Sequence, residues 1–312
     1  MDNLILAFNV VLPLFICIAL GYLLRCLGMM PLDSRRTMNK LCFKVFLPFY
    51  LVHNIYTTDL ALAFDWKLIL LAAGGIVGIF AFLMLTIPHI EKKNPRRGVM
   101  IQGIFRSNYA LFGLPVALSL CGEGKMGPSS LLIGVIVPIF NVLAVITLES
   151  FRGGKPDLKK MLKGIATNPL IIASLLGIFL NLLHVPVPAS VLKGVGDVGK
   201  VATPLSLVVL GSEFMFGNVR GYWKQLLLTV SGRLIFCPLV MVVIAVSLGL
   251  RNEMLVPILI LFGAPTAVSS FTMAQQMDGD SDLAASVVVF TSAFAILTIF
   301  LWIFILKQLM LI

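Results

Sequence analysis

Hydrophobic residues in this chain fall into long runs separated by short polar or charged connectors. Ten runs, near 4–25, 36–58, 66–88, 98–120, 128–150, 168–185, 192–216, 224–248, 254–276 and 283–308, approach the roughly 20 apolar residues with which an α-helix crosses a bilayer. The pattern predicts ten transmembrane helices, numbered here as spans 1–10. The basic connectors 25–40, 92–97, 152–163 and 220–224 each follow an odd-numbered span. Lys and Arg concentrate on the cytoplasmic side, so both termini are expected outside a multi-pass protein of the cell membrane. The acidic connector with Asp278, Asp280 and Asp282 falls on the same cytoplasmic side, and acidic residues weigh little in that rule.

Composition agrees with this reading. Hydrophobic residues make up 59% of the chain, charged residues only 12%, and the mean hydropathy is +1.03, whereas a soluble domain carries about 25% charged residues. The net charge of +10 lies in the connectors, which accounts for it without nucleic acid. The five cysteines (Cys17, Cys26, Cys42, Cys121, Cys237) are odd in number, lack C-x-x-C spacing and read as packing residues. The first run follows Asp2 instead of a basic stretch and is long for a signal segment, so it is expected to remain as span 1. A single membrane domain over 1–312 is expected, with no metal and no cofactor.

Short motifs recur. PLFICIALG at 13–21 returns as PLIIASLLG at 169–177, and KVFLP at 44–48 returns as KVATP at 200–204 at the same offset. LFGLP at 111–115 returns as LFGAP at 261–265 at an offset six residues shorter. Three matches in one order predict a duplication, 1–152 and 165–312. Five spans per copy is an odd number, so the second copy must be inverted. The expected fold is all-α, with two inverted five-helix repeats, an arrangement typical of secondary transporters that bind substrate near the midplane.

Pro115 and Pro265, with Gly113 and Gly263 beside them, are expected to break spans 4 and 9 and make them cross, since proline removes a backbone donor and glycine eases departure from the helix. Half-helix N-termini there carry partial positive charge and free N–H groups, which suit a carboxylate. Asn108, Tyr109, Asn141, Thr266, Ser269 and Ser270 are the candidate substrate-binding residues, with interhelical hydrogen bonding as their plainer role. Lys44 and Lys200 each stand four residues before a proline, Pro48 and Pro204, and are candidates for supporting the crossover or for coupling. Lys44 lies about 12 Å deep at 1.5 Å per residue, within reach of the surface by snorkelling. Arg106 and Arg233 are candidates for a cationic vestibule, Arg106 the better placed. Asp197 and Lys200 are spaced for an i,i+3 ion pair, Glu213 reads as a solvated helix end, and His53 as a packing residue.

RSNYALFGLPVA at 106–117, KVFLPFYLVHNI at 44–55 and LFGAPTAVSSFTMA at 261–274 resemble the auxin efflux carrier family of secondary transporters, especially its bacterial branch, over nearly the whole chain. The resemblance implies a scaffold half and a transport half, an elevator-like motion, often a homodimer, and organic anions as substrates: indole-3-acetate in plants, malonate, malate or related carboxylates in bacteria. It matches Pro115 and Pro265 to crossover prolines, Asn108 to a polar position near the substrate, and Lys44 to a lysine of a support site. Plant members pair that lysine with an aspartate on span 3. Here that span reads LILLAAGGIVGIFAFLML and holds no acid, so proton coupling through such a pair is in question. The long central loop of many plant carriers is missing as well.

The architecture is similar also to bile acid sodium symporters, in which case Ser107, Asn108, Gln275 and Gln276 would form a sodium site of hard oxygen ligands. The coupling ion is therefore open between H+ and Na+. Two readings of other classes remain. Gly194-Val195-Gly196-Asp197 fits the GxGD pattern of intramembrane proteases, but Asp59 and Asp65 lie at an outer connector and Lys200 holds Asp197 ionised, against the shared proton such a pair requires. A transporter-like sensor is the other.

Overall fold

A computed structural model describes residues 2–58, 65–122, 127–152 and 158–312. It is helical throughout, with one isolated antiparallel bridge, Ser107 to Thr266, among the described residues. The helices are α1 (Asp2–Cys26), α2 (Leu32–Leu41), α3 (Leu47–Tyr56), α4 (Trp66–Ile90), α5 (Asn94–Phe105), α6 (Leu114–Cys121), α7 (Gly127–Ser150), α8 (Leu158–Ala166), α9 (Pro169–Leu182), α10 (Ala189–Lys200), α11 (Ala202–Glu213), α12 (Trp223–Ser231), α13 (Cys237–Ser247), α14 (Leu255–Gly263), α15 (Ser269–Gln276) and α16 (Ser281–Gln308). Five stretches are long and apolar enough to cross a membrane: Trp66–Ile90, Leu131–Ser150, Ala189–Glu213, Trp223–Ser247 and Ser281–Gln308.

Several expected spans are interrupted, and three of them carry a π turn just before a proline. Single π turns at Cys42–Phe46, Tyr109–Gly113 and Gly232–Phe236 each end two residues before a proline, Pro48, Pro115 and Pro238. A proline cannot donate to the carbonyl four residues back, and its ring crowds that carbonyl. Widening the preceding turn relieves the crowding: the N–H of the residue before each proline reaches back five positions, Leu47 to Cys42, Leu114 to Tyr109 and Cys237 to Gly232. Before Pro238 the released Leu234 carbonyl accepts from the indole N–H of Trp302 at 3.1 Å. KVATP behaves differently from KVFLP: α10 and α11 meet at Val201 with no π turn.

Helix α1 packs along α11, and α3 along α9. Glycine makes the first contact possible, because a Cβ on Gly21 would collide with the Val208 carbonyl and one on Gly211 with the Ile18 carbonyl. The core sits at the crossing of α5 and α14. Every residue of α14 is buried, as are Gly98–Phe105 of α5. Large apolar side chains such as Phe82, Leu85, Phe179 and Val243 are exposed around the perimeter, where a bilayer would cover them.

The charged connectors gather at one end of the bundle. Arg35 pairs with Glu213 at 3.1 Å, Arg96 with Asp280 at 2.9 Å, and Arg152 with Asp278 at 2.7 Å. Arg25 donates to the Ser212 and Phe214 carbonyls, both at 3.1 Å. The acidic connector therefore lies among the basic ones because it supplies their counter-charges. Glu213 is an ion-pair partner at that end and not a freely solvated helix terminus.

Candidate functional site

The two broken helices cross where the chain leaves helical geometry. α5 ends at Phe105 and the π turn begins at Tyr109; between them Arg106 has φ −88° and ψ 116°, and Asn108 φ −84° and ψ 51°. The other break follows Gly263, where Ala264 has φ −66° and ψ 154°. Two backbone hydrogen bonds close the crossing: Asn108 N–H to the Pro265 carbonyl at 2.8 Å, and Ala267 N–H to the Arg106 carbonyl at 3.3 Å. In span 9 the break contains Pro265, as expected. In span 4 it lies at Arg106–Asn108, before Gly113 and Pro115. Those two sit in and after the π turn, because the widened turn absorbs the proline without opening the helix. Gly113 has another use, since a Cβ there would come within 2.6 Å of Ile260 Cγ2 on the crossing helix.

The crossing has two unlike sides. On one side the N-terminal ends of the downstream halves, Tyr109 onward and Ser269 onward, open onto a cavity of about 70 Å³, enough for several waters. Its polar lining includes Arg106, Ser107, Asn108, Asn141 and Ser269; its apolar lining includes Leu47 and Phe140. The first N–H groups of a helix have no intrahelical acceptor and carry the positive end of its dipole. Asn108 is 4% exposed, and its Nδ2 and the Ser107 hydroxyl have no partner among the described residues. Arg106 is also buried; it donates from Nη2 to Asn141 Oδ1 at 2.7 Å and from Nη1 to the sulfur of Met273. Asn141 passes the chain on, Nδ2 to Ser174 Oγ at 3.2 Å, and Ser174 donates to the Leu170 carbonyl at 2.8 Å. Among the described residues no carboxylate pairs with Arg106.

On the opposite side lie the C-terminal ends of the upstream halves, α5 and α14, and between them the side chain of Arg233, 0% exposed. Its Nε donates to the Ala264 carbonyl at 2.7 Å, Nη2 to Leu261 at 2.6 Å, and Nη1 to Ile104 and Phe105 at 3.0 and 3.2 Å. Arg233 therefore faces backbone carbonyls and offers no vestibule to a solute.

The other candidates separate. Tyr109 lines the cavity and anchors its hydroxyl on the Ser129 carbonyl at 2.9 Å. Thr266 braces the crossing, Oγ1 to the Gly103 carbonyl at 2.7 Å and its N–H to Thr291 Oγ1 at 3.2 Å. Ser270 is buried, its hydroxyl without a partner among the described residues, and lies outside the cavity lining. Lys44, in the first π turn, is exposed and does not line the cavity. Lys200 is exposed and pairs with Asp197 at 2.9 Å. Pro48 and Pro204 stand near the starts of α3 and α11. The proposed sodium ligands do not converge: Ser107 and Asn108 line the cavity, whereas Gln275, beside Gln276 at the end of α15, donates to Glu213 at 3.3 Å. Ser174, Ser129 and the cavity-lining Tyr50 and Ser206 were missed from sequence; isolated hydroxyls in apolar runs carry no signal of their own.

A multi-pass helical bundle whose two broken helices cross at a mainly apolar cavity, into which Arg106, Asn108 and Asn141 bring polar groups, has the form of a membrane transport protein. The family model described as membrane transport protein matches residues 6–155 and 156–303, and the chain belongs to that family, the one in which its motifs resemble the auxin efflux carriers. It is similar to an uncharacterized transporter of Methanothermobacter thermautotrophicus, with 24% identity over 298 residues, covering 94% of this chain and 96% of that protein. An uncharacterized transporter of Methanocaldococcus jannaschii is 23% identical over 307 residues, covering 94% and 97%. The chain is thus a transporter and not an enzyme.

Proposed function

We propose that this protein is a secondary carrier that moves a small organic anion across the cell membrane by alternating access of an elevator type. One observation carries the reading: a buried arginine, Arg106, stands beside two helix N-termini with no carboxylate partner among the described residues. A cation placed at positive dipole ends in a low-dielectric interior is electrostatically unfavourable until an anion arrives. The unpartnered Nδ2 of Asn108 supplies a further donor aimed at the same cavity. A carboxylate there would accept from Asn108 and from the N–H groups at Tyr109 and Ser269, with Arg106 as its counter-charge.

The inverted duplication of 1–152 and 165–312 is part of this proposal. Repeat motifs pair span 1 with 6 and span 2 with 7, and the packing of α1 on α11 and of α3 on α9 has the exchange symmetry such a duplication produces. The shared charged end suits the cytoplasm, with both termini outside, and a homodimer completes the proposal.

The test is electrogenic current from reconstituted protein on solid-supported membranes, challenged with malonate, malate, succinate, acetate and indole-3-acetate, with and without sodium and a pH gradient, and repeated as radiolabel uptake. A saturable response to a carboxylate is expected, with apparent affinity about 10-fold weaker in Asn108→Ala, the worth of one charge-assisted hydrogen bond. Silence in both assays would overturn the anion reading. Unchanged affinity in the variant would remove Asn108 from the site.

A further inference from the structure

We infer that Arg233 is the positioning residue of the anion site: its guanidinium ties the C-terminal ends of α5 and α14 together, and this bond set keeps the two downstream N-termini facing one cavity. Each carbonyl it holds has lost its helical partner for a readable reason. Leu261 would accept from residue 265, which is proline and has no N–H. Ile104 would accept from Asn108, whose N–H goes instead to the Pro265 carbonyl. Phe105 and Ala264 lie at the ends of their helices, where carbonyls are orphaned in any case. Four buried carbonyls, each carrying part of the negative end of a helix dipole, meet one cation whose planar fork can reach both helices.

Placement of the guanidinium depends on the third π turn. Arg233 is its second residue, and Pro238 produces the turn. Gly232 permits the approach, since a Cβ there would meet the Ile104 side chain at 3.2 Å. Through this residue α12 and α13 are fastened to both crossing helices, so the four helices are expected to travel as one body in any transport motion. The contrast with Arg106 is one of sign: Arg233 sits at negative helix ends and is satisfied, whereas Arg106 sits at positive ends and waits for an anion.

The inference builds on the anion reading, and its first test needs no substrate. Amide hydrogen exchange would be compared in detergent-solubilised wild type, Arg233→Lys and Arg233→Gln, with peptides from α4 as reference. Exchange across 104–112 and 263–271 should accelerate at least 10-fold in Arg233→Gln and by an intermediate amount in Arg233→Lys, whose ammonium keeps the charge but cannot span both helices. The reference peptides should not change. Uptake of whichever carboxylate the wild type transports should then show a raised KM with a maximal rate within about threefold, partly restored in the lysine variant relative to glutamine. Wild-type protection at the crossing in either folded variant would overturn the inference, whatever the substrate proves to be. If neither variant folds while Arg97→Gln does, Arg233 serves assembly of the bundle, and the narrower claim that it sets the site fails.

Discussion

At the level of single residues, the distinction that matters is between buried polar groups with partners and those without. Asn141 holds Arg106 by its carbonyl oxygen, a neutral partner for a cation. Replacing it tests whether Arg106 awaits a counter-charge. Asn141→Asp would provide an internal carboxylate, so the melting temperature should hold or rise while apparent affinity for the transported anion falls at least 10-fold; affinity equal to wild type would argue against Arg106 as the substrate's partner. Asn141→Ala should instead leave the Arg106 Nη2 donor unsatisfied, at a cost of about 1–3 kcal/mol, read as a lower melting temperature in a thermal shift assay. Asn108 and Arg106 were legible as candidates because polar residues within apolar runs are costly and need a reason. The direction in which Arg233 points was not, because two arginines at similar depth look alike until the helix ends around them are placed.

Among elements, the three π turns follow from proline. Pro238→Ala would return an N–H able to reach the Leu234 carbonyl, which Trp302 now takes. If the turn at Gly232–Phe236 then reverts to α geometry, removing one residue's worth of widening rotates the side chains on one side of it by about 100° and withdraws Arg233 from the carbonyls. Transport should fall more than expression, and uptake normalised to the amount of reconstituted carrier measures this. Pro265→Ala should act by a different route, giving Leu261 a backbone donor that competes with Arg233. The repeat LFGLP and LFGAP pointed to both broken helices, yet in span 4 the chain opens at Arg106–Asn108. A proline predicts which carbonyl is released; whether a widened turn or an open break follows depends on what crosses behind it, here Pro265 accepting from Asn108.

For the whole molecule, the charged end ties distant connectors together. Glu91 accepts from Lys93 N–H at 2.7 Å and from the Gln225 amide, and Arg97 donates to its carbonyl at 2.6 Å. Burial, the largest single influence on Glu91, pushes its pKa up, but the hydrogen bonds its carboxylate accepts from Lys93 N–H, the Gln225 amide and Lys92 N–H and the charge of Arg96 together outweigh it and hold the carboxyl below its ordinary value. A carboxyl depressed in the folded state adds stability that is present above its unfolded pKa and is lost as pH falls through the folded one. The melting temperature should therefore drop as pH falls below about 4.5, and drop less in Glu91→Gln, in a thermal unfolding series from pH 7 to 3. An identical slope in both proteins would show that Glu91 has no part in it.

The sequence by itself determined the class of molecule, because hydrophobic run length answers directly to bilayer thickness, and it determined which carbonyls lose their helical donor, because proline acts on its own backbone and on the carbonyl four residues earlier. It also separated the basic connectors from the spans. Only the tertiary structure decided which ends of the broken helices face the cavity, that Arg233 serves the carbonyl side and Arg106 the N–H side, that Gln275 turns to Glu213, and that Lys44 lies outside the cavity lining. Those outcomes depend on contacts between residues far apart in the chain, such as Arg106 with Met273, Arg233 with Ile104 and Gln275 with Glu213. Partners at that separation are set by how helices pack, which no local pattern of residues encodes.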